Sequence, residues 1–199
     1  MVMRYKIILA SGSPRRKELL AGLELDFETR LLPGIDESYP RTLRGEDIPV
    51  AISRKKSEAY RAAMADDELI ITADTIVYLD GKVIGKPHSE EEACQMLRAL
   101  SGRTHEVITG VTLATRQKTR SFASTSRVTF ANLAESDIRH YVQCYRPLDK
   151  AGAYGIQEWI GYIGVTGIEG SYYNVMGLPV QRLYTELKDF INDDRDIRQ

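Results

Sequence analysis

The 199-residue chain is short of several things, and each absence removes a class of function. Charge of one sign is missing: 27 Lys and Arg stand against 28 Asp and Glu, for a formal net charge of −1. Nucleic-acid binders usually carry a basic excess, so a nucleic-acid module is disfavoured, and any affinity for phosphate must come from a local cluster of cations. Cysteine is scarce. Cys94 and Cys144 share no close spacing and each falls in a helix-like amphipathic stretch. Two buried, reduced thiols are expected there rather than a disulfide framework or a metal site. The three histidines, His88, His105 and His140, lack ligand spacing, which argues against a zinc hydrolase. Long apolar runs are also missing. Residues 7–10 are too few for the core of a signal peptide and no later run reaches membrane length, so a cytosolic protein without membrane contact is expected. There is no Walker lysine loop, kinase motif set or GxGxxG after a strand, and no internal repeat or low-complexity linker.

What is present is an alternation of strand and helix patterns. Residues 6–10 read as a buried strand, followed by a helix that Ser13 caps and Pro14 opens, with Leu19, Leu20 and Leu23 facing the core and Gly22 near its end. A second strand is expected at 27–32, then a polar loop to Pro40, then a helix over 48–65. Residues 69–79 form a β-rich run, which Asp80-Gly81 turns into a hairpin with 82–84. Ser89 and Glu92 form a capping box for a helix closed by Gly102. Residues 106–115 and 121–133 read as paired strands, and Ser136 as the cap of a helix containing Ile138, Tyr141 and Val142. A Gly-rich stretch without periodicity covers 149–170. A short strand at 172–175 and a helix from Pro179 to about Ile191 follow, leaving a charged, frayed tail at 192–199. Helices alternating with strands, some in hairpins, predict an α/β protein with a mixed twisted sheet and flanking helices.

Candidate functional residues show as conflicts with foldability. Arg15 and Arg16 put two cations in the first turn of a helix, against its dipole; an anion held there by free N–H groups and both guanidinium groups would resolve the conflict, and a solvated basic turn is the plainer alternative. Asp74 sits inside Leu69-Ile70-Ile71-Thr72-Ala73-Asp74-Thr75-Ile76-Val77. A carboxylate in such a run needs a metal, a cation, or bonds to nearby backbone. Lys56 falls at helical spacing with Ile52, Ala59 and Ala63, where it either snorkels or serves a site. Lys86 stands on the Gly85-Lys86-Pro87 loop, and Asp36 and Glu37 on the polar loop after the second strand. Asp149-Lys150-Ala151-Gly152-Ala153-Tyr154-Gly155-Ile156-Gln157 is rich in small residues, as a backbone approaching a ligand would need. Several cations with at least two carboxylates suit Mg²⁺-assisted chemistry on a phosphate chain.

In order and spacing, Ala10-Ser11-Gly12-Ser13-Pro14-Arg15-Arg16, Ala73-Asp74-Thr75, Gly85-Lys86-Pro87, Ser101-Gly102-Arg103-Thr104-His105, the 149–157 segment and Gly177-Leu178-Pro179 resemble the Maf family of nucleotide pyrophosphatases. The resemblance covers nearly the whole chain. It implies one domain over 1–191, built as two lobes around a deep cleft like the inosine-triphosphate pyrophosphatases, and a homodimer. It implies hydrolysis between the α- and β-phosphates of a nucleoside triphosphate with a divalent cation, Mg²⁺ or Mn²⁺. Asp74 matches the proposed catalytic base and a metal ligand, and Glu37 a second metal ligand. Arg15, Lys56 and Lys86 match phosphate-contacting cations, with Ser13 and Arg16 as supports. Arg15, Thr75 and Gln157 resemble the set of the branch that acts on dTTP and UTP, in which a glutamine amide accepts from the pyrimidine N3–H and donates to O4. Where many members have Gly after that glutamine, this chain has Glu158-Trp159-Ile160-Gly161, which is expected to reshape the base pocket. The competing expectation is a non-catalytic, nucleotide-binding regulator of cell division.

Overall fold

The computed structural model describes residues 5–196. In chain order its elements are β1 (Lys6–Leu9), α1 (Pro14–Ala21), β2 (Phe27–Thr29), α2 (Asp47–Arg61), β3 (Glu68–Leu79), β4 (Lys82–Ile84), α3 (Glu90–Leu100), β5 (Thr104–Ala114), β6 (Thr119–Phe130), α4 (Glu135–Tyr145), α5 (Trp159–Gly164), β7 (Val165–Glu169), α6 (Tyr172–Met176) and α7 (Val180–Asp196), with a 3₁₀ turn at Ala151–Ala153. The strands form a mixed sheet in the order β2-β1-β3-β5-β6-β7, with β4 paired to β3. The mixed α/β class is therefore as expected.

The chain divides into two compact units. The first comprises Met1–Asp74, Thr109–Ser124 and Gly177–Gln199; the second comprises Thr75–Ile108 and Thr125–Met176. In the first unit β1 runs parallel to both neighbours, with Ile7 opposite Phe27 of β2 and Leu69 of β3. Parallel strands bury both faces, which explains the unbroken apolar runs: Ile7, Ile8, Leu9, Leu69, Ile70 and Ile71 are all at most 1% exposed. Ile8, Ile70 and Ala114 pack with Tyr60 and Met64 from the end of α2 and just beyond it.

The approach of α2 to the sheet is set by backbone. A Cβ on Gly110 of β5 would lie 2.3 Å from the carbonyl carbon of Pro49, so only glycine admits the helix at this height. Buried hydroxyls then fix it. Thr72 of β3 donates to the Ser53 carbonyl at 2.6 Å, Ser53 Oγ pairs with Thr112 Oγ1 at 2.9 Å, and Thr112 pairs with Ser121 at 2.9 Å.

In the second unit β3 turns through Asp80 (φ 50°) and Gly81 (φ 76°) into β4, with Leu79 opposite Lys82. Two successive left-handed residues are the geometry Asp-Gly was expected to supply. Strand β7 pairs antiparallel with β6, Val128 opposite Ile168. Leu97 and Leu100 of α3, Tyr141 of α4 and Ile160 of α5 share a core with Val77, Val128 and Phe130.

Several local expectations fail. Residues 172–175 are helical in α6, and the last strand lies earlier, at Val165–Glu169, inside the stretch read as a loop. Helix α4 starts at Glu135 with Ala134 in the cap position and no side-chain cap, so Ser136 lies inside it. Helix α7 continues to Asp196; of the tail expected to fray, 197–199 lie outside the described residues. Cys94 is buried but Cys144 is exposed. The buried face of α4 is Ile138, Tyr141 and Val142, and residue 144 points off it.

Candidate active site

In the first unit, the α1 N-terminus is built as the sequence specifies. Ser13 Oγ accepts the Arg16 N–H at 3.4 Å and Pro14 opens the helix. Ser11, itself buried, accepts from the Ser13 N–H at 3.3 Å. Arg16 does not reach out from this turn. Its Nε donates to the Gly177 carbonyl at 2.8 Å, and one terminal nitrogen donates to the Ala73 carbonyl at 2.9 Å. One guanidinium thus ties α1, the end of β3 beside Asp74, and the segment before α7. Burial holds its pKa below the ordinary arginine value, Asp74 and Glu37 act to raise it, and Arg15 adds to the lowering. Four charged side chains therefore share one electrostatic neighbourhood.

Lys56 joins the two acids. Its Nζ stands 2.8 Å from Asp74 Oδ1 and 3.0 Å from Glu37 Oε1. Lys56 and Asp74 are largely buried, with side chains 14% and 13% exposed, whereas Glu37 is 54% exposed. The sequence placed Lys56 on a stripe with Ala59 and Ala63, yet both alanines are exposed. The buried face of α2 is Ile52, Ser53, Ser57 and Tyr60, and Lys56 borders it one turn beyond Ile52. Small hydroxyls recurring at 53 and 57 were the signal for that face. The loop carrying Glu37 is clasped to the same helix: Lys55 donates to Asp36 and to the Ser38 carbonyl, and Ser38 Oγ donates to Asp36 at 2.7 Å.

Of the expected site residues, the first unit thus brings together Asp74, Glu37, Lys56 and Arg16, with Ser13 and Arg15 in the same helix turn. Thr75, Lys86 and Gln157 belong to the second unit. Lys86 is exposed on the loop after β4, whose Gly85 carbonyl accepts the Gly152 N–H at 2.9 Å. Gly152 adopts φ 69°, and a Cβ there would meet Val77 at 2.8 Å, so the glycine answers both backbone and packing. Gln157 has its Oε1 buried without a hydrogen-bond partner. An amide oxygen left in that condition is costly unless a ligand supplies a donor.

Residues 6–190 match the family described as Maf-like protein. The chain belongs to the Maf family. Its relatives include proteins named dTTP/UTP pyrophosphatase from Phocaeicola vulgatus, 64% identical over 93% of this chain and 96% of the relative, and from Bacteroides thetaiotaomicron, 60% identical over the same shares. Another of that name, from Porphyromonas gingivalis, is 57% identical over 94% of this chain and 95% of its own. Among solved structures, a HAM1 protein from Coxiella burnetii aligns with 93% of this chain and 99% of its own at 16% identity and a TM-score of 0.48.

Within this Maf chain the sequence reading missed the fastening of the 149–158 segment. Lys150, 8% exposed as a residue, lies 2.7 Å from Asp149 Oδ1 and 3.2 Å from Glu158 Oε1. Tyr141 donates its hydroxyl to Glu158 and accepts the Gly155 N–H at 3.1 Å. The missing clue is tertiary, because Tyr141 reads from sequence only as a core residue of α4. His105 of the Ser-Gly-Arg-Thr-His segment is also buried, 2% exposed, with Nε2 at 2.7 Å from the Tyr154 hydroxyl. Burial lowers its pKa to about 4.

Among the described residues no group of three or more His, Cys, Asp or Glu side chains could hold an ion by itself. Two carboxylates meeting at one point, Asp74 and Glu37 on Lys56 Nζ, do suit a small hard cation that takes one or two protein carboxylates and completes its shell with water and substrate phosphate. The residues fit Mg²⁺ or Mn²⁺ in that form.

Proposed function

We propose that this chain hydrolyses dTTP and UTP to the monophosphate and pyrophosphate, through attack of water on the α-phosphorus. The meeting of Lys56 with Asp74 and Glu37, beside the Arg15-Arg16 turn, carries the reading. It supports a site where negative phosphate and positive metal can be held at once, and the names of the relatives at 57–64% identity point to the same substrates.

In this reading Asp74 takes the proton from the attacking water, and its 2.8 Å bond to Lys56 keeps it aimed. Lys56, Arg15 and Lys86 balance the triphosphate charge. Arg16, spent on the Ala73 and Gly177 carbonyls, positions Asp74 rather than the phosphate, and Ser13 completes the helix turn. Glu37 and Asp74 would hold a divalent cation. When bound, such a cation would supply charge neutralisation along the phosphate chain. Thr75 and Gln157 serve base selection, Gln157 accepting the N3–H of uracil or thymine at its unpartnered Oε1. A cytosolic homodimer without nucleic-acid partners completes the proposal; the balanced charge supports the last part of it, since nucleic-acid binders usually carry a basic excess.

The test is a chromatographic product analysis with dTTP and UTP in the presence of Mg²⁺. Monophosphate and pyrophosphate in equal amounts are expected. Diphosphate with orthophosphate would place the cleavage one bond away and end the proposal.

A further inference from the structure

Glu158 directly follows Gln157 in the chain, and the second unit shows what its side chain is fastened to. Both carboxylate oxygens are engaged, Oε2 by the Tyr141 hydroxyl and Oε1 by Lys150 at 3.2 Å. Tyr141 is fully buried, and burial, with Glu158 next, pushes its pKa up so that the hydroxyl stays a donor. The carboxylate is therefore fixed from two sides. It also shares space with the neighbouring amide: a Cβ on Gly155 would lie 2.9 Å from Glu158 Cδ, 3.1 Å from Glu158 Oε2 and 3.1 Å from Gln157 Nε2. The nitrogen end of the Gln157 amide and the Glu158 carboxylate thus crowd one point, while Gln157 Oε1 is buried and unpartnered. A carboxylate attracts the NH₂ end of an amide and repels its oxygen, so the charge favours one of the amide's two orientations.

We infer that Glu158, held by Tyr141 and Lys150, is a positioning residue for base specificity: it keeps Gln157 Nε2 turned toward itself and Oε1 free to accept, so that the site takes bases offering an N–H at position 3 and rejects those offering a lone pair. This rests on the base-recognition role proposed for Gln157. Uracil and thymine carry a proton on N3. Cytosine carries a lone pair there, which only the reversed amide would satisfy.

Steady-state kinetics with UTP and CTP, for the unaltered chain, Glu158→Gln and Tyr141→Phe, test the inference. Glu158→Gln keeps the side chain's size and an acceptor for Tyr141 but removes the charge. The UTP:CTP ratio of kcat/KM is expected to fall about ten-fold, the worth of one mispaired hydrogen bond, chiefly through KM for UTP. Tyr141→Phe leaves the charge but releases one of its anchors, and should lower the ratio in the same direction by less. It decides the matter if Glu158→Gln does not fold. Equal losses on both nucleotides, or an unchanged ratio, would overturn the positioning role while leaving Gln157 its part. An unaltered chain that takes UTP and CTP alike would remove the reading of Gln157 itself, and this inference with it.

Discussion

Lys56 Nζ lies 2.8 Å from Asp74 Oδ1, and both side chains are more than four-fifths shielded from water. A carboxylate so placed can accept a proton without first shedding a hydration shell. Asp74→Asn keeps the shape and removes the base, and Lys56 retains Glu37 as a partner. Activity on UTP should fall by about a thousand-fold, within the span usual for general bases, with the melting temperature little changed. A variant retaining a tenth of the activity would rule out Asp74 as the base.

Arg16 satisfies two carbonyls with one planar fork, a task lysine cannot repeat. Arg16→Lys should lose one charged hydrogen bond, about 1.5–3 kcal/mol of stability by urea denaturation. Turnover should drop with it, because the end of β3 beside Asp74 loses its brace. Loss of substrate affinity with unchanged stability would instead assign Arg16 to the phosphate.

Gly110→Ala places a methyl group 2.3 Å from the backbone of Pro49. The helix must retreat, at a cost on the order of 1–3 kcal/mol. Chemical denaturation should show that loss together with lowered activity, although residue 110 touches none of the proposed catalytic groups.

His105 titrates against the fold. Its pKa is lowered from 6.5 to about 4, so the unfolded chain binds more protons than the folded one between those values. Stability is therefore complete above 6.5 and drains away as pH falls through the window, by about 2 kcal/mol between pH 7 and pH 5. His105→Phe should shrink the pH 7 to pH 5 difference in unfolding free energy by about that amount. An unaltered difference would mean that other groups govern the acid limb.

Chelation offers a test of the carboxylate pair. Dialysis against EDTA should abolish UTP hydrolysis, and Mg²⁺ or Mn²⁺ should restore it. Glu37→Gln, with its side chain half in solvent, should raise the metal concentration needed for half-activity without loss of stability.

Legibility from sequence followed the range of the interactions. The Ser13 cap, the Asp80-Gly81 turn and the Ser89 cap are local chemistry and stand where expected. Even so, Glu92 reaches back to the His88 N–H rather than to that of Ser89, a displacement of one residue. Asp74 and Lys56 stood out as charges where apolar residues were due, and they meet. The 149–176 region was misread because its order comes from distant partners. Ser126 holds Ser171 by exchanging two hydrogen bonds with it, and Tyr141 holds Gly155 and Glu158, none of which leaves a periodic trace. Arg16 was read with Arg15 as a guanidinium facing a bound anion, since nothing local distinguishes an arginine that turns inward onto backbone carbonyls.

The contact at Gly110 lets main chain meet main chain, and buried hydroxyls at Ser53, Thr72 and Thr112 hold α2 at that height. Arg54 and Glu58 face solvent, away from the buried face of Ile52, Ser53, Ser57 and Tyr60. That outer surface is therefore open to the engineer: tags, dyes or altered charge could be installed there for immobilisation, and the lysine would keep its appointment with the two acids.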